Sequence, residues 1–162
     1  MSIMLTGNLS KNFTQREYHK GTAAVVMSKE TIVFIRAIQT FRNWLNAPMY
    51  VISWARTVEE NKAVGGISTS NHLLPRACAV DFNRGDGVAL TKADFIKWAT
   101  KWAAICRATG CVPEAGLYAK GWIHFGIQNS TQAKANKNQM VHWYTDKNGK
   151  QINNPYPELR GL

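Results

Sequence analysis

Two segments of the chain repeat apolar residues every three or four positions, which is the spacing of an amphipathic helix. The repeated positions are Phe34, Ile38, Phe41 and Leu45 in the first segment and Phe95, Trp98, Trp102 and Ile105 in the second. Ser28 and Thr91 precede the two segments as N-caps, and Gly110 closes the second. Both segments are therefore predicted to be helices that pack an apolar face against the core.

Shorter segments have the alternation, or the β-branched and aromatic content, that is typical of strands. They are "MYVISW" at 49–54, "CAVDF" at 78–82, and the arms of two predicted hairpins. In the first hairpin, "CVPEAGLY" and "WIHFGIQ" flank a two-residue turn of Lys120 and Gly121. In the second, "MVHWYT" and "KQI" flank an Asn-Gly turn. Most of the expected sheet is therefore antiparallel.

The rest of the chain has weaker patterns. Residues 1–27 are predicted to be irregular, and the polar stretch 56–72 is predicted to be a short helix followed by a loop. No repeat, linker or low-complexity tract divides the sequence. Because helices come first and strands gather later, we predict an α+β fold with a small antiparallel sheet and two main helices, in a single domain over residues 1–162.

The composition is that of a globular protein with a basic surface. Of 162 residues, 45% are hydrophobic, which is enough for a core without disulfides or a structural metal. Twenty Lys and Arg against ten Asp and Glu give a net charge of +10, which attracts polyanions such as nucleic acid, a cell-wall polymer or an anionic membrane. Because the basic residues are spread along the chain, a merely solvated basic surface is the alternative to a dedicated site.

Cysteine usage and the first residues bear on where the protein works. Cys78, Cys106 and Cys111 make an odd number without a C-x-x-C pair, as expected for reduced thiols in a protein made in the cytoplasm. The sequence shows no signal peptide and no apolar run near the ~18 residues of a membrane span. We expect a protein held in the host cytoplasm until another factor releases it.

Asp81 is the first residue that suggests chemistry, because a charged group on a half-buried strand needs a partner. His124 lies in a similar setting in "WIHFGI", and His72 precedes Asp81 by nine positions. Two histidines and one carboxylate are a common ligand set for catalytic zinc, with a fourth position left for water. From the spacing alone, histidines that are hydrogen-bonded in the core remain the alternative.

Four motifs resemble, in order and rough spacing, the zinc peptidases of the D-Ala-D-Ala carboxypeptidase family, which also includes phage L-alanyl-D-glutamate endolysins. They are "LSKNFTQREY", "VISWARTVEENKAVGG", "STSNHLLPRACAVDF" and "GLYAKGWIHFGI". The resemblance covers about residues 9–128, and residues 129–162 are then a C-terminal extension with a possible hairpin. The combination S-x-H, A-x-D and W-x-H is specific as a group.

The resemblance implies a role for five residues. His72, Asp81 and His124 would be the ligands of a Zn²⁺ cofactor. Arg56, in "SWAR", would hold a substrate carboxylate or a developing oxyanion, since a guanidinium fork suits both tasks. Ser70, in S-x-H, would also contact the substrate. A surface cation on a loop is the alternative interpretation of Arg56.

The spacing between the first two ligands departs from the family pattern. In the family the aspartate usually comes seven positions after the histidine, whereas Asp81 comes nine positions after His72. Such an insertion is tolerated if Pro75 and Arg76 bulge outward while both ligands keep their places. We expect it to reshape the rim of the cleft.

The general base is a second departure. The family places an acidic residue three positions before the last histidine or, in some branches, two after it, and here these are Gly121 and Gly126. With a two-residue turn, Leu117 faces His124 and Glu114 lies on the opposite face, although a slip of one residue would reverse this. The base is left unassigned, with four candidates: Glu114, His142, Asp86 and Glu59.

The leading hypothesis is a zinc-dependent peptidase that cleaves an amide of the peptidoglycan stem peptide, as a monomeric phage endolysin drawn to the anionic cell wall. The alternative is a structural or binding protein of a phage particle on the same fold, with a zinc site but little turnover. Nucleic-acid binding is not expected, because Phe95, Trp98 and Trp102 fall on one helical stripe that suits the core.

Overall fold

The structure is a computed structural model that describes residues 9–20, 27–88 and 90–162. The helices in these ranges are α1 (Gln15–Tyr18), α2 (Lys29–Leu45), α3 (Val58–Ala63), α4 (Lys92–Ala108) and α5 (Ser130–Ala135). The strands are β1 (Met49–Ser53), β2 (Ala79–Arg84), β3 (Pro113–Tyr118), β4 (Ile123–Ile127), β5 (Val141–Thr145) and β6 (Gln151–Asn153). A 3-10 helix covers Pro157–Leu159.

The two long helices, α2 and α4, begin where the sequence predicts them. Ser28 Oγ accepts a hydrogen bond from Thr31 N at 3.1 Å, and Thr91 forms a reciprocal capping box with Asp94. Helix α4 ends just before Gly110, which has a φ of +72° that favours glycine. The predicted apolar stripes are largely buried, so both helix predictions are confirmed.

The six strands form one sheet with the order β1-β2-β4-β3-β5-β6. All neighbouring strands are antiparallel except β3 and β5, which are parallel. The predicted α+β class is therefore confirmed. The second hairpin, β5–β6, joins the same sheet, and β5 extends it next to β3.

The two faces of the sheet have different chemistry. Helices α2 and α4 cover one face, where Trp102 stacks on Phe125 at 5.1 Å between ring centroids and Phe41 meets both rings edge-on. Phe95, Trp98 and Trp102 are at most 4% exposed, which confirms their predicted role in the core. Side chains of alternate residues point to the opposite face, and this is where Asp81 and His124 lie.

Two local predictions are wrong. The opening segment is not wholly irregular, because residues 15–18 form α1, capped by Thr14 and Glu17; residues 1–8 and 21–26 lie outside the described residues. The turn between β3 and β4 contains three residues, not two, because Tyr118 pairs with Trp122 and Gly121 takes a φ of +81°. This shifts the register of the hairpin by one residue.

The described part of the chain has no helix that is both long and apolar enough to cross a membrane.

Cys78, Cys106 and Cys111 are free thiols, and the first two are buried. Helix α5 has no counterpart among the sequence predictions, and it follows β4 directly with Asn129 as its N-cap.

Candidate metal centre

Two neighbouring strands and one loop bring the three predicted ligands together. Asp81 on β2 lies directly opposite His124 on β4 in the antiparallel register, so both side chains point to the face away from α2 and α4. His72 comes from the loop before β2. Its carbonyl accepts a hydrogen bond from Arg56 N at 2.9 Å, and Leu74 N donates to Arg56 O at 2.9 Å. These backbone bonds fix the loop beside the sheet.

The three side chains converge through one atom each. His124 Nδ1 lies 2.9 Å from Asp81 Oδ1 and 3.2 Å from His72 Nε2. His72 Nε2 lies 3.3 Å from the same Asp81 oxygen. The three residues are only 4%, 7% and 5% exposed for His72, Asp81 and His124. The structure therefore places all three predicted ligands in one buried cluster that could hold a metal ion.

A hydrogen bond to one ring nitrogen of His72 leaves the other, Nε2, free to bind a metal. Nδ1 lies 2.6 Å from the Trp54 carbonyl oxygen. Because a carbonyl only accepts hydrogen bonds, Nδ1 carries the ring hydrogen and Nε2 keeps its lone pair. Histidine ligands of metals are usually held by such a partner on the other ring nitrogen.

Asp81 and His124 stabilise each other's charged forms. Burial alone would raise the pKa of Asp81, but the nearby imidazoles of His72 and His124 outweigh it and hold that pKa well below its usual range. Burial alone would lower the pKa of His124, but hydrogen bonds to Asp81 and Glu114 raise it to about 9. In the metal-free protein, His124 is therefore a cation between two carboxylates.

This donor set fits zinc. Two imidazole nitrogens and one carboxylate oxygen are typical zinc ligands, and the three atoms lie 2.9–3.3 Å from one another. The hydrogen on His124 Nδ1 is the group that a metal ion would replace, since Asp81 Oδ1 and His72 Nε2 surround it. His72 Nε2, Asp81 Oδ1 and His124 Nδ1 would hold the ion.

We predict that the metal-free protein becomes less stable as the pH rises from about 6.5 to about 9. The pKa of His124 is raised from 6.5 to about 9, so the folded state keeps a proton that the unfolded state releases in this range. This stabilisation is complete below pH 6.5 and is lost as the pH passes 9. Thermal unfolding in a chelator should show a decrease of several degrees across this range. A His124→Gln variant should lack it, and a flat wild-type profile would contradict the assigned charge state.

Arg56 lies at the site, as predicted, and is fixed on three sides. Its Nε donates to Ser53 Oγ at 2.8 Å, one Nη to Asn61 Oδ1 at 3.4 Å, and the other to Asp81 Oδ2 at 3.0 Å. Asp81 thus turns one oxygen to the histidines and the other to Arg56. These bonds use three of the five N–H groups of the guanidinium, and the side chain is 17% exposed.

Ser70 and the long loop between the first two ligands hold His72 in place. Ser70 Oγ accepts a hydrogen bond from His72 N at 3.3 Å, whereas its predicted contact with substrate stays a prediction. Pro75 is exposed, as predicted. Arg76 is not turned outward, because its guanidinium donates to Asn71 Oδ1 at 2.5 Å and to Ile127 O at 2.7 Å. The longer loop is thereby tied back to the end of β4.

Glu114 lies on the same face of the sheet as His124, which corrects the sequence prediction. Because the turn has three residues, Gly116 pairs with His124 and Glu114 pairs with Gly126. Glu114 Oε1 lies 3.0 Å from His124 Nε2, and the residue is 9% exposed. Burial alone would raise the pKa of Glu114, but the hydrogen bond and charge of His124 outweigh it and keep the pKa below its usual range.

The structure does not bring the other three base candidates to these ligands. His142 pairs with Ala115 on the helix-covered face and packs against Tyr156, 5.7 Å between ring centroids. Asp86 binds Arg84 in the exposed turn after β2. Glu59 is exposed in the first turn of α3. Among the described residues, Glu114 is therefore the one carboxylate besides Asp81 that contacts either ligand histidine.

Trp143 is a residue of this site that sequence reasoning missed. It pairs with Gly116 across β3 and β5, and its ring centroid lies 4.8 Å from that of His124. The parallel pairing of β5 with β3 brings it there, and no local pattern predicts such a distant pairing. Its partly exposed indole forms a wall beside the ligand histidine.

Gly116→Ala is predicted to displace this indole. An added Cβ would overlap the Trp143 ring and lie 2.7 Å from its Cζ2. Overpacking of this kind costs about 1–3 kcal/mol of the free energy of unfolding. Urea unfolding followed by tryptophan fluorescence measures the change. Unaltered stability together with unaltered native fluorescence would contradict the close packing.

One comparison with known proteins gives a match. The family described as Peptidase M15 matches residues 8–125, which include Arg56, Ser70, all three candidate ligands and Glu114. No curated protein and no solved structure matches the chain. The matched range covers well over half of the 162 residues and ends just after His124. The chain therefore belongs to the Peptidase M15 family.

Proposed function

We propose that this protein is a zinc-dependent peptidase that hydrolyses an amide bond in the stem peptide of peptidoglycan, and that it serves as a phage endolysin. The observation that carries the proposal is the convergence of His72 Nε2, Asp81 Oδ1 and His124 Nδ1 in a buried cluster. Membership of a peptidase family supports the reaction class.

The chain's own residues would position the metal and the substrate. When bound there, a zinc ion would supply Lewis-acid chemistry, which polarises a carbonyl and lowers the pKa of water to about 7. The Trp54 carbonyl orients His72 through a hydrogen bond from Nδ1 at 2.6 Å, and Asp81 Oδ1 would share the ion with the two imidazoles. Arg56 offers its remaining N–H groups to negative charge, either on a substrate carboxylate or on the oxygen of the bond being cleaved.

The choice of peptidoglycan rests on charge. The net charge of +10 favours an anionic polymer, and the stem peptide offers carboxylates that the Arg56 guanidinium can bind. Phe95, Trp98 and Trp102 are buried in the core, so the aromatic residues that suggested nucleic-acid binding are not available for stacking. A cell-wall polymer is therefore the polyanion that we propose as partner.

An endolysin role follows from the same features. The free thiols and the basic surface together suit an enzyme that accumulates inside the host and acts when another protein gives it access to the wall. We propose that it acts as a monomer.

Zymography on purified peptidoglycan tests the proposal. Wild-type protein should clear the substrate, a chelator should stop clearing, and added zinc should restore it. Mass spectrometry of the released fragments identifies the cleaved amide. A protein that binds zinc but releases no fragments would contradict the proposed reaction.

The alternative function is a structural or binding protein of a phage particle with little turnover. Its support was the absence of a carboxylate at Gly121 and Gly126. Glu114 supplies a carboxylate to His124 from the neighbouring strand, but it contacts Nε2 and not the metal-facing Nδ1, so it does not take the place of that base. Zinc binding without fragment release in the same assay would favour the alternative.

A further inference from the structure

The side chain of Glu114 lies against the backbone of Gly126 on the neighbouring strand. The two residues are directly opposite each other across the β3–β4 pair. An added Cβ at Gly126 would overlap Glu114 Oε1 and lie 2.8 Å from its Cγ. The Glu114 side chain therefore fills the volume in which a side chain at position 126 would begin.

Position 126 is a natural place for a group that contacts His124. The two residues are separated by one position on β4, so their side chains leave the same face of the strand. A carboxylate on residue 126 would stand beside the imidazole. This chain has glycine there and reaches the same place with a longer side chain from β3.

The two ring nitrogens of His124 have different partners. Nδ1 faces Asp81 and His72, whereas Nε2 lies 3.0 Å from Glu114 Oε1. A carboxylate that accepts from Nε2–H fixes the hydrogen on that nitrogen and sets the plane of the ring. The lone pair of Nδ1 is then presented to the metal position.

We propose that Glu114 is the positioning residue of the metal centre, and that residue 126 must be glycine to leave room for its carboxylate. Glu114 acts through His124 in this role and takes the place of a carboxylate at position 126. The proposal rests on the proposed zinc-binding function and adds a specific pair of residues to it.

Zinc affinity, measured by competition with a chromophoric chelator, tests this pair. Glu114→Ala should weaken zinc binding by about 10- to 100-fold. Glu114→Gln, which keeps the size and an acceptor oxygen, should weaken it less. Gly126→Ala should weaken binding although it removes no polar atom, because its Cβ displaces the carboxylate. Glu59→Ala, an exposed glutamate of the same charge, is the matched control and should bind zinc as the wild type does.

Two double variants separate this role from a merely structural one. Glu114→Ala with Gly126→Ala should bind no more weakly than Glu114→Ala alone, because the overlap is gone. Glu114→Ala with Gly126→Asp should recover most of the affinity, because the carboxylate now starts from the other strand. Thermal unfolding in a chelator checks that each variant is folded.

The outcomes distinguish this inference from the function on which it rests. A wild-type protein that binds no zinc would overturn the proposed function and this inference with it. Zinc binding by the wild type, with unchanged affinity in both Glu114→Ala and Glu114→Gln, would overturn the inference alone. Additive losses in the Ala-Ala double variant would also overturn it, because they would show that the two residues act independently.

Discussion

Replacing Asp81 with asparagine is expected to weaken zinc binding by more than about 100-fold and to reduce peptidoglycan hydrolysis to background. Asparagine keeps the size of the side chain but removes the charge that a dication needs. Asp81 Oδ1 also lies beside both other ligand atoms, 2.9 Å from His124 Nδ1 and 3.3 Å from His72 Nε2. The change therefore removes one ligand and the electrostatic partner of the other two. Zinc content by mass spectrometry, together with fragment release, measures both effects.

Asp86 provides a matched control for this substitution. It follows β2, carries the same charge, and binds Arg84 at the surface much as Asp81 binds Arg56 at the site. Asp86→Asn should leave zinc content and hydrolysis at wild-type levels. Full zinc content in a folded Asp81→Asn variant would contradict the assignment of Asp81 as a ligand.

Arg56→Lys is expected to lower hydrolysis by about 100- to 1,000-fold while zinc remains bound. Lysine keeps the positive charge but loses the planar fork, and it cannot contact Ser53, Asn61 and Asp81 together as Arg56 does. Arg56 binds Oδ2 of Asp81, whereas the histidines gather around Oδ1, so the metal ligands themselves are untouched. Steady-state hydrolysis of a stem-peptide substrate, with zinc content checked in parallel, measures the difference.

Arg84→Lys is the control for the Arg56 variant, because its guanidinium also binds an aspartate but lies near Trp98 on the helix-covered face. It should hydrolyse the substrate at the wild-type rate. Wild-type hydrolysis by Arg56→Lys would contradict the role proposed for the guanidinium fork.

Local patterns were sufficient to predict the elements that carry the site. The apolar stripe and N-cap predict α4, and the alternation around Asp81 predicts β2, because each depends on residues that are close in sequence. The motif resemblance added His72 and Arg56, which lie in irregular or edge segments without such a pattern. The structure places both beside Asp81.

The features that could not be predicted depend on one turn and on distant pairing. Whether Gly121 closes a two-residue or a three-residue turn decides the face on which Glu114 lies, and the sequence allowed both. Trp143 reaches His124 only because β5 pairs in parallel with β3, which no nearby residue specifies. Helix α1 had a readable signal, since Thr14 and Glu17 have the spacing of a capping box.

Anomalous scattering at the zinc edge, from a crystal grown with zinc, tests the central claim most directly. We predict one strong peak in contact with His72 Nε2, Asp81 Oδ1 and His124 Nδ1, the three atoms that lie together in the buried cluster. The electron density of the same crystal would show whether Glu114 Oε1 stays within hydrogen-bond distance of His124 Nε2 when the metal is bound. Zinc peaks elsewhere on the protein, with none among these three side chains, would contradict the claim that they form the metal centre of a peptidase.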